Sequence, residues 1–175
     1  MIYFRHVDPR YPFLWETPDQ PPARWHDLGD GPVHYLSDTS DGAWAEFLRH
    51  EEITDPEDLA GIQRTMWAVE IAEPPARRSG LPLAVVTGGS ETYVRCRRYA
   101  RRLRAEGETG FSVEGAALLR GEARGWRVSN GLQRGADRNG RVMVLFGPRP
   151  DLIGWPTAPA GRPPVYLLES VRHLE

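Results

Sequence analysis

Between Ala23 and Glu46 the chain gathers side chains that could do chemistry together. Arg24 stands just ahead of a loop containing Gly29 and Gly31, where backbone could approach a ligand closely. Tyr35 falls at the end of an expected strand. Glu46 falls in the next expected helix, where an apolar face should continue past Trp44 and Phe47. A carboxylate at the margin of such a face is partly desolvated and calls for a cationic partner. Arg, Tyr and Glu then make a functional set. They offer a fork for phosphate, a ring to stack on a flat heterocycle, and an acid to stabilise a positive, sugar-like transition state. Breaking an N-glycosidic bond uses all three. Taken singly, each of these residue types is more often just paired or solvated, so composition alone does not carry the assignment.

Two absences narrow the chemistry. Cys96 is the only cysteine, which excludes disulfide frameworks and cysteine-rich zinc sites. All 22 basic residues are arginine, so there is no lysine for a Schiff base, a pyridoxal-phosphate anchor or a Walker-type phosphate loop. His26 and His34 flank the Gly-rich loop, but without cysteines or regularly spaced carboxylates no metal site is expected. The net charge of −2 gives no bulk reason to expect nucleic acid. Charge is nevertheless segregated: residues 38–58 are acidic and residues 91–107 arginine-rich, which suits a protein partner or internal pairing. The arginine-rich helix reads first as a solvated face. No run of eighteen apolar residues is present and the first residues lack a signal-peptide layout, so a cytoplasmic protein without a membrane span is expected.

Periodicity outlines the elements that must position these groups. Ile2–Val7, Pro32–Leu36, Met66–Ala72, Leu83–Thr87, Gly110–Val113, Trp126–Val128, Val142–Phe146 and Val165–Leu168 read as strands. Pro9–Pro22 reads as an ordered loop packed by Tyr11, Phe13 and Trp15. The polar cluster Ser37–Asp41 offers caps for a helix over Gly42–Glu51. Asp55-Pro56-Glu57-Asp58 opens a second helix. Ser90 caps a third, through about Glu106, with Tyr93, Cys96, Ala100 and Leu103 as its buried stripe. Trp126 and Trp155 are expected to pack. Strands and helices alternate only in part and no linker divides the chain. Residues 1–175 are therefore expected to form a single α+β domain, with mixed sheets and flanking helices.

The succession Ala23-Arg24-Trp25-His26, Val33-His34-Tyr35-Leu36-Ser37 and Ala43-Trp44-Ala45-Glu46 resembles the RES domain, a family named for its Arg, Glu and Ser. Tyr3-Phe4-Arg5 is similar to the family's first strand, and the likeness extends over roughly residues 2–150. The resemblance implies an ADP-ribosyltransferase-like fold that binds NAD as substrate, with no prosthetic group. Family members degrade NAD by hydrolysis or phosphorolysis, or transfer ADP-ribose; many are toxins neutralised by an Xre-type antitoxin protein. Carried over, Arg5 and Arg24 hold the phosphates or the nicotinamide ribose, with Ser37 beside them. Tyr35 stacks on the nicotinamide ring. Glu46 orients the ribose and stabilises the oxocarbenium-like centre. A homo-oligomer is compatible with this picture.

One departure stands out. Where the family carries Pro-Ser-Ala, this chain reads Glu114-Gly115-Ala116, so the hydroxyl is missing at Gly115. Ser112, three residues earlier on a strand, points to the opposite face. Loss of one hydrogen bond weakens ligand binding by about 1 kcal/mol, while loss of a group that positions the nucleophile silences or redirects the reaction. The alternatives to NAD cleavage are ADP-ribosyl transfer to a protein or small molecule, and a nucleotide-binding module that has lost turnover.

Overall fold

Eight short strands carry the architecture of this computed structural model, which describes residues 1–17 and 19–173. They are β1 (Ile2–Val7), β2 (Val33–Ser37), β3 (Arg64–Glu70), β4 (Gly110–Glu114), β5 (Trp126–Val128), β6 (Leu132–Arg134), β7 (Arg141–Phe146) and β8 (Ile153–Gly161). Six form one sheet in the order β4-β7-β2-β1-β3-β8, while β5 and β6 make a separate hairpin. The helices are α1 (Ser40–His50), α2 (Leu83–Thr87) and α3 (Tyr93–Ala105). The class is α+β, as expected. Every pairing between these strands is antiparallel rather than mixed, and parallel pairing is confined to isolated bridges such as Arg78↔Ser112. Among the described residues no helix is long and apolar enough to cross a membrane.

Alternation along the strands divides the apolar residues between two faces. On one face Trp25, Val33, Phe111 and Val144 pack with α2 and α3, and Phe4 and Met66 pack beneath α1. On the other, Tyr3, Leu36, Val69 and Leu145 are covered by Phe13 and Leu14 from the loop after β1. Phe13 lies 5.2 Å from Trp67, whereas Tyr11 and Trp15 are exposed. Pro18 of that loop lies outside the described residues.

The sheet parts between its two central strands. β1 pairs with β3 at six positions and β2 with β7 at five, but β1 and β2 meet only at Phe4↔Ser37. Beyond that pair Arg5, His6 and Val7 diverge from Leu36, Tyr35 and His34. Gln20 takes over the hydrogen bonding that β1 has abandoned. Its Oε1 accepts from Val33 N–H at 2.8 Å and its Nε2 donates to Val33 O at 3.0 Å and to Trp15 O at 2.9 Å. Gln20→Leu strands these buried backbone groups and is expected to cost about 2 to 3 kcal/mol in urea denaturation; an unchanged midpoint would show that other groups satisfy Val33.

Several elements depart from the sequence-based expectation. Leu83–Thr87 is helical rather than extended. A five-residue apolar run reads alike for a buried strand and a buried helix. Pro82 at the N-cap has a φ of −57°, and the Thr87 hydroxyl donates back to Leu83 O at 3.0 Å. Val165–Leu168 lies in a 3₁₀ segment over Val165–Ser170, and the second helix is a single 3₁₀ turn, Pro56–Leu59. The segment Ser90–Thr92 forms a 3₁₀ turn ahead of α3, and Ser90 makes no capping bond there. The buried stripe of α3 holds Tyr99 in place of Tyr93. β8 escaped notice because Pro156 and Pro159 interrupt it; as an edge strand it tolerates them. Trp126 and Trp155 are exposed instead of packed.

Candidate functional site

The divergence of β1 from β2 opens a cleft of about 950 Å³, within the range of ligand sites. Arg5 from β1, Arg24 from the segment before β2, Tyr35 and Ser37 from β2, and Glu46 from α1 all line it. Five of the six expected site residues thus share one cavity. Gly115 does not line it, although Glu114 and Ala116 on either side do.

α1 is aimed by its first turn. Thr39 Oγ1 accepts from Gly42 N–H at 2.9 Å, and the helix sits so close to β2 that a Cβ at Gly42 would lie 3.3 Å from that of Ser37. Ser37 is buried at the junction of the two central strands. In the second turn of the helix, Glu46 projects half-buried into the cleft. It has no cationic partner within 4 Å among the described residues; its Oε1 accepts from Ala117 N–H at 3.3 Å. The expected ion pair is thus replaced by a backbone donor.

Arg24 is held by the end of α2. Its Nη2 donates to Gly88 O at 2.8 Å, its Nη1 reaches Val85 O at 3.4 Å and Thr92 Oγ1 at 3.3 Å, and its guanidinium lies 4.7 Å from the centre of the Tyr93 ring. Helix C-terminal carbonyls suit a cation. Tyr35 is fixed through its hydroxyl, which accepts from Trp25 N–H at 3.1 Å and shares a 2.8 Å hydrogen bond with His26 Nδ1. Burial pushes this phenol above its ordinary pKa, so it stays protonated. Arg5 lines the cleft with a buried Nη1 that has no hydrogen-bond partner among the described residues, and desolvation pulls its pKa down to about 10.

The Gly-rich loop plays a different part from the one expected. Gly29 and Gly31 have φ of +81° and +79°, the left-handed conformation that favours glycine, and neither lines the cleft. They shape the turn in which Asp27 and Asp30 receive Arg97 and Arg101 of α3. His26 and His34 serve hydrogen bonds, His26 also to Pro21 O and His34 to Gly147 O. Burial and the nearby Arg5 pull His34 down to about 4, so near neutral pH its ring is uncharged despite Glu16 at 3.5 Å.

Arg49 went unremarked in the sequence. It is 6% exposed, lines the cleft one turn after Glu46, and donates to Ala116 O, Thr87 O at 2.9 Å and Gly88 O at 3.2 Å. An arginine between Leu48 and the end of an apolar helix was the available signal. Burial lowers its pKa, Arg24 acts in the same direction, and Glu46 opposes them.

The RES domain model matches residues 4–124. The chain belongs to the RES domain family. Its members generally act on NAD, and many are toxins. No curated protein matches the chain. The matched RES region carries every expected site residue and stops short of β7 and β8, which complete the sheet around it. At Gly115, within that region, a Cβ would stand 3.4 Å from Gly140 O and the backbone is not left-handed, so serine fits there. Ser112 is no substitute: its hydroxyl accepts from Arg141 Nη2 at 2.8 Å and it does not line the cleft. Gly115→Ser is expected to fold with a melting temperature within about 2 °C of the parent. If position 115 reaches the ligand, the variant should bind NAD about fivefold more tightly in calorimetry; unchanged affinity would remove that position from the binding surface.

Proposed function

We propose that this RES domain cleaves the nicotinamide–ribose bond of NAD. The carrying observation is one cleft lined by the half-buried Glu46 together with Arg5, Arg24 and Arg49, none of them within 4 Å of a carboxylate among the described residues. Three guanidinium groups that no carboxylate of the cleft approaches within 4 Å among the described residues remain available to a diphosphate. Arg5 has the free donor; Arg24 and Arg49 are already bonded to carbonyls, so they contribute charge and shape more than new hydrogen bonds. The Tyr35 ring stacks on the nicotinamide. Glu46 accepts from a ribose hydroxyl and stabilises positive charge at C1′ as nicotinamide leaves with the bonding electron pair. Water or phosphate then adds at C1′ and gives up a proton.

Glu114, one of several carboxylates lining the cleft besides Glu46 and the one that flanks Gly115, favours ADP-ribosyl transfer as the alternative, since it could activate an acceptor. Family membership also suggests an antitoxin partner as a separate chain.

The test incubates the protein with NAD, with and without phosphate, and follows free nicotinamide by chromatography. Release that needs Glu46 supports cleavage, and phosphate-dependent ADP-ribose 1-phosphate identifies phosphorolysis. Tight NAD binding with no release overturns cleavage in favour of a binding module.

A further inference from the structure

The hydrogen bond that Glu46 receives comes from a peptide unit gripped at both ends. Ala117 N–H donates to Glu46 Oε1, and the carbonyl of that same peptide, Ala116 O, accepts from two guanidinium groups. One is Arg49 Nη1; the other is Arg172 Nη1 at 3.0 Å, from a segment beyond the matched family region. Ala116 and Ala117 are buried, at 7% and 0% exposure, so these bonds act in a weakly screening environment. Arg172 is also held by its backbone, whose N–H donates to Ala117 O at 2.6 Å. Leu119 N–H donates to Ser170 O at 2.8 Å, and Leu118 bridges Val171. The C-terminal segment is thereby laid against residues 117–119.

A carbonyl that accepts from two cations is more polarised than one that accepts from a neutral donor. Polarisation passes through the planar peptide, so its N–H becomes a stronger donor at the other end. We infer that Arg49 and Arg172 are positioning residues for Glu46, acting through the peptide between Ala116 and Ala117. This inference rests on the proposed role of Glu46 in bond cleavage. It explains how a carboxylate in the cleft is oriented without a salt bridge: an ion pair would tie up its charge, whereas a polarised N–H fixes one oxygen and leaves the other for the substrate. Arg49 also binds the end of α2, so its replacement could disturb folding. Arg172 is the cleaner handle.

The experiment compares the unaltered protein with Arg172→Leu, Arg172→Lys and Glu46→Gln. The Ala117 amide proton is read by NMR on ¹⁵N-labelled protein, alongside kcat and KM for nicotinamide release. The Ala117 proton is expected to move upfield in Arg172→Leu and in Glu46→Gln, and to return toward its original position in Arg172→Lys. kcat should fall about fivefold in Arg172→Leu with KM unchanged, and recover in Arg172→Lys. An Ala117 proton unmoved by Arg172→Leu overturns the inference. So does a kcat loss that only follows the folded fraction and is not rescued by lysine. If the unaltered protein releases no nicotinamide, the cleavage proposal fails on its own, and the NMR series still decides whether Arg172 acts on the Glu46 donor.

Discussion

Glu46→Gln is expected to slow nicotinamide release at least a hundredfold while leaving the fold intact. Gln matches Glu in shape, and its carbonyl oxygen can keep accepting from Ala117 N–H, now 3.3 Å from Oε1. What is lost is the negative charge facing a transition state that develops positive charge at C1′. Removing one preorganised electrostatic contact of this kind typically costs about 10²–10³ in kcat. KM should change less than kcat, because the positive charge of ground-state NAD is spread over the pyridinium ring and moves onto the ribose beside Glu46 only as the bond breaks. Steady-state release by chromatography and thermal melting on the same preparations provide the check. A variant that retains more than a third of the parent's kcat would remove Glu46 from the chemical step. A large drop in melting temperature would instead assign it a structural role.

The largest stability effect is expected at Phe111. This side chain is fully buried in β4, with ring centres 5.0 Å from Trp25, 5.6 Å from Tyr99 and 5.8 Å from Phe146. It joins the sheet to α3 and to the segment carrying Arg24. Phe111→Ala leaves a cavity among aromatic rings that are held by their own neighbours and collapse poorly. The expected cost is about 3–5 kcal/mol, read as a shift in the urea midpoint. Since Trp25 N–H donates to the Tyr35 hydroxyl, NAD affinity should fall together with stability. A loss under about 1 kcal/mol would mean that the cluster repacks freely.

Much of this is legible in the amino-acid sequence itself. The trio Arg24, Tyr35 and Glu46 could be named because their types match a reaction and their order matches a family. The structure brings all three to one cleft, together with Arg5 and Ser37. The helix carrying Glu46 was readable from its capping cluster and apolar face. Less legible were elements whose local signal is ambiguous or contradicted by tertiary context. Leu83–Thr87 has strand-like residues but a helical position beneath α3, while β8 has two prolines and survives as an edge. The local partners were also hidden. The donor to Glu46 lies 71 residues away, and the carbonyls that hold Arg24 lie more than 60 residues away. No periodicity encodes such contacts. Arg49 and Arg172 escaped for the same reason: what each does is defined by the backbone it meets.

The lone pair Phe4↔Ser37 also bears on cooperativity. A sheet joined by one rung is, for unfolding, two ladders sharing a weak seam: β4, β7 and β2 on one side, β1, β3 and β8 on the other. Arg5 belongs to one ladder, and Tyr35 belongs to the other. A dinucleotide held by both would act as a removable crosslink. At a hundred times its dissociation constant it would add about 2.7 kcal/mol to the folded state. Much of that gain should appear as amides on the two sides of the seam exchanging with solvent in step, where without ligand they open independently.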